Sequence, residues 1–202
     1  IPFPANSEPK ENLSYNPYWV FSIHKALDGG LWMGTISGGV VKFTGSDFEY
    51  INNKDLGQTV MSIYEDKNGE VWFGNNGAGA FQFNENGLSN FSNDHGVADP
   101  AFLENQQVSN ESGFLSRVSA IIEDDHENIW FGTLNSGVWK YDGIHLTNYS
   151  KDNSFPSNRV NSMIKDQSGR LWIGSPNGML IQYDGTSFTL LNSDTISIID
   201  GC

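Results

Sequence analysis

The sequence predicts an all-β protein assembled from repeated four-stranded units. Three observations carry this. A block of about thirty residues recurs four times without an internal gap. Each block reads as short strands separated by polar or glycine-rich turns. No window shows convincing helical periodicity.

The recurrence is anchored on Trp32, Trp72, Trp130 and Trp172, spaced by 40, 58 and 42 residues. Twelve residues before each lies a valine: Val20, Val60, Val118 and Val160. Two residues after each lies a glycine: Gly34, Gly74, Gly132 and Gly174. Eleven residues after comes an aromatic, Phe43, Phe83, Tyr141 or Tyr183, and sixteen after comes Phe48, Leu88, Leu146 or Phe188.

Each element follows in order. The valine opens a β-rich run containing Ile23, Ile63, Ile121 or Met163. A polar turn comes next, as in Asp66-Lys-Asn-Gly69 and Asp166-Gln-Ser-Gly169, where the Asp carboxylate is placed to accept backbone N–H groups of its own turn. One carboxylate per turn is too few for calcium, which takes six to eight oxygens. The tryptophan strand follows. A glycine-rich turn, such as Gly77-Ala-Gly79, leads to a third strand ending on the aromatic. Asp142-Gly143 and Asp184-Gly185 then make tight hairpins into a short fourth strand carrying Phe48, Phe91 or Tyr149. Four antiparallel strands in units of about forty residues are the pattern of a propeller blade.

The predicted architecture is therefore a small β-propeller of four-stranded antiparallel blades, with four complete repeats plus a partial fifth from the termini, forming one domain over 1–202. The blades fall at about 18–52, 58–92, 116–150 and 158–192, with an insertion at 93–115 and a partial strand at 194–199. Closure stays open among three arrangements: a four-bladed ring, a ring with a composite fifth blade from both termini, or an array completed by further blades or copies.

The pattern Val-x-Ser-Ile-x-x-Asp-x-x-Gly-x-x-Trp-x-Gly-Thr-x-x-x-Gly-Val-x-x-Tyr-Asp-Gly resembles the two-component regulator propeller repeat, over roughly residues 18 to 192. The resemblance implies a β-propeller in the extracytoplasmic sensor half of a bacterial membrane histidine kinase, periplasmic or extracellular. Three positions depart from the pattern. Ala26 replaces the turn Asp of the first copy, Glu127 the turn Gly of the third, and Met179 the second Gly of the fourth.

Composition narrows the function. Of 202 residues 38% are hydrophobic and 17% charged, which suits a folded β-rich chain rather than disorder. A net charge of −13 opposes binding to nucleic-acid phosphates or an anionic membrane surface. No apolar run approaches 18 residues, so no direct membrane insertion is expected, and Ile1–Pro9 does not read as a signal peptide. The single cysteine, Cys202, cannot form an internal disulfide.

The four histidines, His24, His95, His126 and His145, lack metal-ligand spacing, and no nucleophile elbow or phosphate-binding loop is present. No catalytic residue, metal or cofactor is assigned. His24 is expected on the first inner strand as a partly exposed structural residue. The recurrent tryptophans are expected to pack between blades; Trp19 and Trp139 lie outside the repeat register. Strand alternation puts the glycine-rich turns and the insertion on one face. Binding residues expected there are Ser37, Asn76, Asn135, Asn177 and Asp99, with Phe102 as an apolar platform or, alternatively, tucked beneath the loop.

The function expected is a non-catalytic extracytoplasmic ligand-sensing or binding propeller. Its expected partners are a carbohydrate or small polar ligand, and a homodimer or larger propeller assembly, without nucleic acid. The alternatives are a small propeller lyase or hydrolase and a structural assembly module.

Overall fold

The computed structural model describes residues 18–51, 56, 59–107, 111–151 and 153–191. Sixteen strands form four separate antiparallel sheets of four, each a simple meander. The first blade holds β1 (Val20–Lys25), β2 (Leu31–Thr35), β3 (Val40–Phe43) and β4 (Phe48–Ile51). The second holds β5 (Val60–Glu65), β6 (Val71–Asn75), β7 (Ala80–Asn84) and β8 (Gly87–Ser89). The third holds β9 (Val118–Glu123), β10 (Ile129–Thr133), β11 (Val138–Tyr141) and β12 (Leu146–Tyr149). The fourth holds β13 (Ser162–Lys165), β14 (Leu171–Gly174), β15 (Leu180–Tyr183) and β16 (Phe188–Leu191). Registers repeat with the sequence: His24 faces Trp32, Tyr64 faces Trp72, Ile122 faces Trp130 and Ile164 faces Trp172.

The inner strands β1, β5, β9 and β13 contact one another in succession. The cores therefore lie between blades rather than inside them. One joins Trp32 and Val40 to Val60, Val71, Phe73 and Phe81. The next joins Trp72 and Ala80 to Val118, Ile121, Ile129 and Phe131. The last joins Trp130 and Val138 to Val160, Met163, Ile173 and Ile181. Each indole meets aromatic rings of the following blade edge-on or tilted: Trp32 with Phe73, Trp72 with Phe131, Trp130 with Tyr183, at 6.0, 5.6 and 4.8 Å. Trp139 is also buried, whereas Trp19 is exposed.

The recurrent glycine two residues past each tryptophan is set by the following blade. A Cβ on Gly34 would lie 2.7 Å from Val60 Cγ1, on Gly74 2.8 Å from Val118 Cγ1, and on Gly132 2.5 Å from Val160 Cγ1. These are sub-van-der-Waals distances, so valine and glycine recur as a pair that brings two backbones together.

The turn acids do two jobs. Asp66 Oδ1 accepts from Asn68 N and Glu70 N, while Oδ2 accepts from Trp72 Nε1 at 3.0 Å. Asp124 repeats this with His126 N, Asn128 N and Trp130 Nε1 (2.8 Å), and Asp166 with Ser168 N, Arg170 N and Trp172 Nε1 (2.8 Å). One carboxylate thus closes the turn and satisfies the indole N–H that packing would otherwise bury unpaired. The first blade has Ala26 instead. There Glu65 Oε2, from the second blade, accepts from Leu27 N at 2.9 Å and Trp32 Nε1 at 3.3 Å. In the third turn Glu127 takes the positive φ (67°) that glycine takes elsewhere, as at Gly69 (81°) and Gly169 (79°).

Two sequence expectations are corrected. Phe91 does not lie on a fourth strand; β8 ends at Ser89 and Phe91 opens a helix. The insertion is also not wholly irregular, since it contains α1 (Phe91–Asp94) and α2 (Pro100–Asn105), both too short for periodicity to show. The partial strand expected at 194–199 and Cys202 lie outside the described residues.

Trp130→Ala is expected to cost about 3–5 kcal/mol in urea unfolding. Trp172 is only half-buried, so Trp172→Ala should cost no more than about 1–2 kcal/mol; equal losses would refute packing by the following blade. Hydrogen bonds hold two acids low: Trp172 Nε1 and the turn amides take Asp166 to about 2, and the Ser187 and Thr186 donors take Asp184 to about 2. Desolvation would raise Asp124, yet the bonds from Trp130 and Asn128 leave it lowered. Their stabilisation is complete above the unfolded carboxylate value of about 4 and is lost as pH falls through the folded values. Tm measured from pH 7 down to pH 2 should fall steeply below about pH 4, and Asp166→Asn should flatten that fall.

Candidate functional site

The insertion after the second blade is stitched to the sheets. Asn90 caps α1 by accepting from Asn93 N, and Asp99 caps α2 by accepting from Ala101 N at 3.0 Å, with Pro100 at its first turn. Ser92 Oγ donates to Leu115 O and accepts from Ala80 N, tying the insertion to β7. Phe91 is buried against Trp72 at 5.2 Å and Tyr141 at 4.9 Å.

Two of the binding residues expected from sequence are consumed by this architecture. Phe102 is 2% exposed and belongs to the core between the first two blades. It is a plug and not a platform for a ligand. Asp99 is also buried, and its carboxylate caps a helix. A small cavity of about 140 Å³ remains beside Phe102, edged by Asn90, Asn93 and Gln106.

The amides separate into two groups. Asn76 and Asn135 come together around Arg117, the residue before β9. Asn76 bridges to Arg117 across the backbone, and its Oδ1 accepts from Arg117 Nε at 3.2 Å. Leu134 N donates to Arg117 O, which places Asn135 alongside. Asn135 is buried; its Nδ2 donates to Glu111 O at 2.6 Å, and its Oδ1 has no hydrogen-bond partner among the described residues. Ser116 Oγ next to Arg117 is likewise buried and unpaired. Ser37 Oγ is unpaired too, but it belongs to the first blade, with no described bond to this cluster. Asn177 is exposed and left-handed (φ 62°), a turn position of the fourth blade.

The residues that sequence reading missed are Arg117 and Arg159. Both directly precede the repeat valine, where Trp19 and Thr59 stand in the first two units. Arg159 is exposed, and its Nε donates to Asn161 Oδ1 at 3.3 Å. Burial lowers the pKa of Arg117, and the charge of Arg159 lowers it further, so the two guanidinium groups feel each other across adjacent blades. Both arginines are cations on a chain of net charge −13. The visible signal was the arginine before two of the four valines.

The opposite face carries a larger cleft between the first two blades, about 570 Å³, lined by Trp32, Lys42, Glu49, Glu65 and Glu70 among others. Its groups are largely committed to the fold. Lys42 Nζ lies 2.6 Å from Asp28, Gln82 Nε2 donates to Glu70, and Glu65 serves Leu27 and Trp32. His24 is similarly engaged. Its Nε2 accepts from Glu65 N at 3.2 Å, its ring leans on Tyr64, and burial lowers its pKa against the opposing effect of Glu65. No group of three or more metal-ligating side chains occurs among the described residues.

Four consecutive meander sheets packed through their inner strands define a β-propeller segment. The two-component regulator propeller model matches residues 55–77 and 154–177, in the second and fourth blades. No curated protein sequence matches the chain. Among solved structures it is similar to the extracellular domain of BT3049, assigned to a hybrid two-component system of B. thetaiotaomicron, at 21% identity and TM-score 0.67. The likeness covers 89% of this chain and 24% of that one. The extracellular domain of BT4673 from B. thetaiotaomicron gives 17%, TM-score 0.64 and coverages of 89% and 22%. Virginiamycin B lyase from Staphylococcus aureus, in its inactive H270A form with quinupristin, gives 15%, TM-score 0.63 and coverages of 91% and 59%. At these identities the likeness is one of fold. The chain spans about a quarter of the sensor domains.

Glu65→Ala should destabilise the chain by about 1–3 kcal/mol in urea unfolding by leaving two donors of the first blade unpaired. Glu65→Gln, which keeps an acceptor, should cost less. An unchanged midpoint in Glu65→Ala would show that the second blade does not hold the first through this group.

Proposed function

We propose that the chain is a non-catalytic, ligand-binding segment of an extracellular sensor protein. Its ligand is a polar molecule bearing an anionic group, such as an acidic sugar. The observation that carries this reading is the polar cluster at Arg117, where Asn76 Oδ1 holds Arg117 Nε and the buried Asn135 Oδ1 and Ser116 Oγ have no partner among the described residues; the charge of Arg159 also acts on Arg117. A carboxylate or sulfate placed between them would relieve their mutual repulsion and accept charge-assisted hydrogen bonds. Asn135 Oδ1 and Ser116 Oγ supply further hydrogen-bonding capacity beside Arg117.

The sensor setting is supported by the repeat family and by the extracellular domains that share the fold. Among the described residues no helix is long and apolar enough to cross a membrane. The non-catalytic reading is supported by the same kinship and by His24, whose Nε2 is occupied by a backbone donor. A lyase reading has only the shared fold of the virginiamycin enzyme behind it.

Calorimetry with uronic-acid and neutral oligosaccharides is the direct test. Acidic fragments should bind and neutral ones should not. Arg159→Ala should weaken binding about 10- to 100-fold, the value of a charge-assisted bond of about 1.5–3 kcal/mol. Binding indifferent to Arg159→Ala, or equal for acidic and neutral sugars, would overturn the assignment.

A further inference from the structure

The two short helices of the insertion leave a cavity of about 140 Å³, lined by Ala78, Asn90, Asn93, Phe102, Leu103 and Gln106. Asn90 caps the start of α1, and Gln106 closes α2 in the left-handed conformation (φ 61°). Ala78 and Phe102 are both buried and give the cavity an apolar floor, while Leu103 is half-exposed. None of these six residues is charged. The cleft on the opposite face, by contrast, is lined by Lys42 and several glutamates.

The three amides differ in how far the fold commits them. Asn90 Oδ1 accepts from Asn93 N at 3.0 Å and its Nδ2 donates to Ala78 O at 3.2 Å, so this residue is largely taken up. The Asn93 side chain is exposed and makes no hydrogen bond among the described residues. Gln106 makes only a long contact, from Nε2 to Phe102 O at 3.5 Å, and its Oε1 has no partner among the described residues. Two uncommitted carboxamides offer both donors and acceptors. Set over an apolar floor, they suit an uncharged ring that is rich in hydroxyls and has one apolar face, such as a neutral pyranose.

The cavity is too small to enclose a complete ligand, since sites for drug-sized molecules start at roughly 300 Å³. It has room for one ring of a larger molecule, and the remainder must be held elsewhere. The Arg117 cluster lies across a single turn from it. On one side of that turn Ala78 lines the cavity and its carbonyl accepts from Asn90. On the other, Gly77 N and Gly79 N donate to Ser116 O, beside Arg117, and Asn76 Oδ1 accepts from Arg117 Nε. Asn76 and Ala78 are two residues apart, so their Cα atoms lie within about 7 Å.

We propose that this cavity is a second subsite, and that it takes the neutral sugar joined to the acidic sugar at Arg117. The assignment rests on the acidic-sugar reading of Arg117 and extends it from a single unit to an ordered pair, with Asn93 and Gln106 selecting the neutral member. The test is calorimetry with glucuronic and galacturonic acid, each free and joined to a neutral hexose. The double variant Asn93→Ala/Gln106→Gly removes both amides and spares the fold: the Asn93 backbone N–H keeps its bond to Asn90, and glycine readily adopts the positive φ of position 106. Its Tm should stay within a degree or two of the parent. In the parent, at least one joined disaccharide should bind about 10-fold more tightly than its free acid, the gain of one or two hydrogen bonds. In the double variant that gain should vanish while affinity for the free acid is unchanged. A parent that binds the free acids but gains nothing from the neutral hexose would overturn the subsite and leave the Arg117 reading standing. So would a gain that survives in the double variant, or an equal loss for free acid and disaccharide. A parent that binds no acidic sugar, free or joined, would overturn the Arg117 reading and the subsite together.

Discussion

The indole of each repeat tryptophan is the constraint on which the other features depend. It is large enough to fill the gap between two sheets, and it has one N–H that must find an acceptor there. The turn aspartate meets that demand at 2.8–3.0 Å in three blades. The same carboxylate closes the turn that sends the chain into the tryptophan strand, so local turn chemistry and inter-blade packing become one device. The valine–glycine pair then sets how closely successive inner strands approach. A blade here is incomplete alone, because its apolar faces are satisfied only by its neighbours.

The proposed site lies in departures from this regularity. Blade positions that bear tryptophan, valine or glycine are spoken for by packing. The insertion at first looks like a free binding loop, yet Phe91 and Phe102 fill the core and its caps hold its helices. It also supplies the Glu111 carbonyl to Asn135, beside Arg117. Arg117 stands just before β9, held by a bridge to Asn76, and Arg159 lies three residues before β13.

Much of the fold was legible because the repeat supplies its own alignment. Val20, Trp32, Gly34 and Phe43 have counterparts at fixed offsets, and that regularity gives strands, turns and blade order without any knowledge of contacts. The aspartate's bond to the indole was not legible, since six residues of separation say nothing about which way a side chain points across a turn. Helices α1 and α2 lie below the length at which periodicity can be read, although Asp99-Pro100 carries a helix-start signal in its chemistry. At the site, Asn76 and Asn135 were recognisable as turn amides on a common face, but the role of Phe102 depended on burial. Arg117 and Arg159 escaped because a repeat-based reading looks first at what recurs in all units.

The replacement of the first turn aspartate by Ala26 leaves the first blade dependent on Glu65 of the second. During synthesis the chain emerges amino end first. The first sheet is then complete in sequence while its tryptophan N–H and its Leu27 amide still lack their acceptor, Glu65, which lies fourteen residues beyond the end of β4 at Ile51. Later blades carry their own aspartate and have no such delay. Maturation of the first blade is therefore tied to arrival of the second, so the two are expected to consolidate as a pair while the third and fourth can add one at a time.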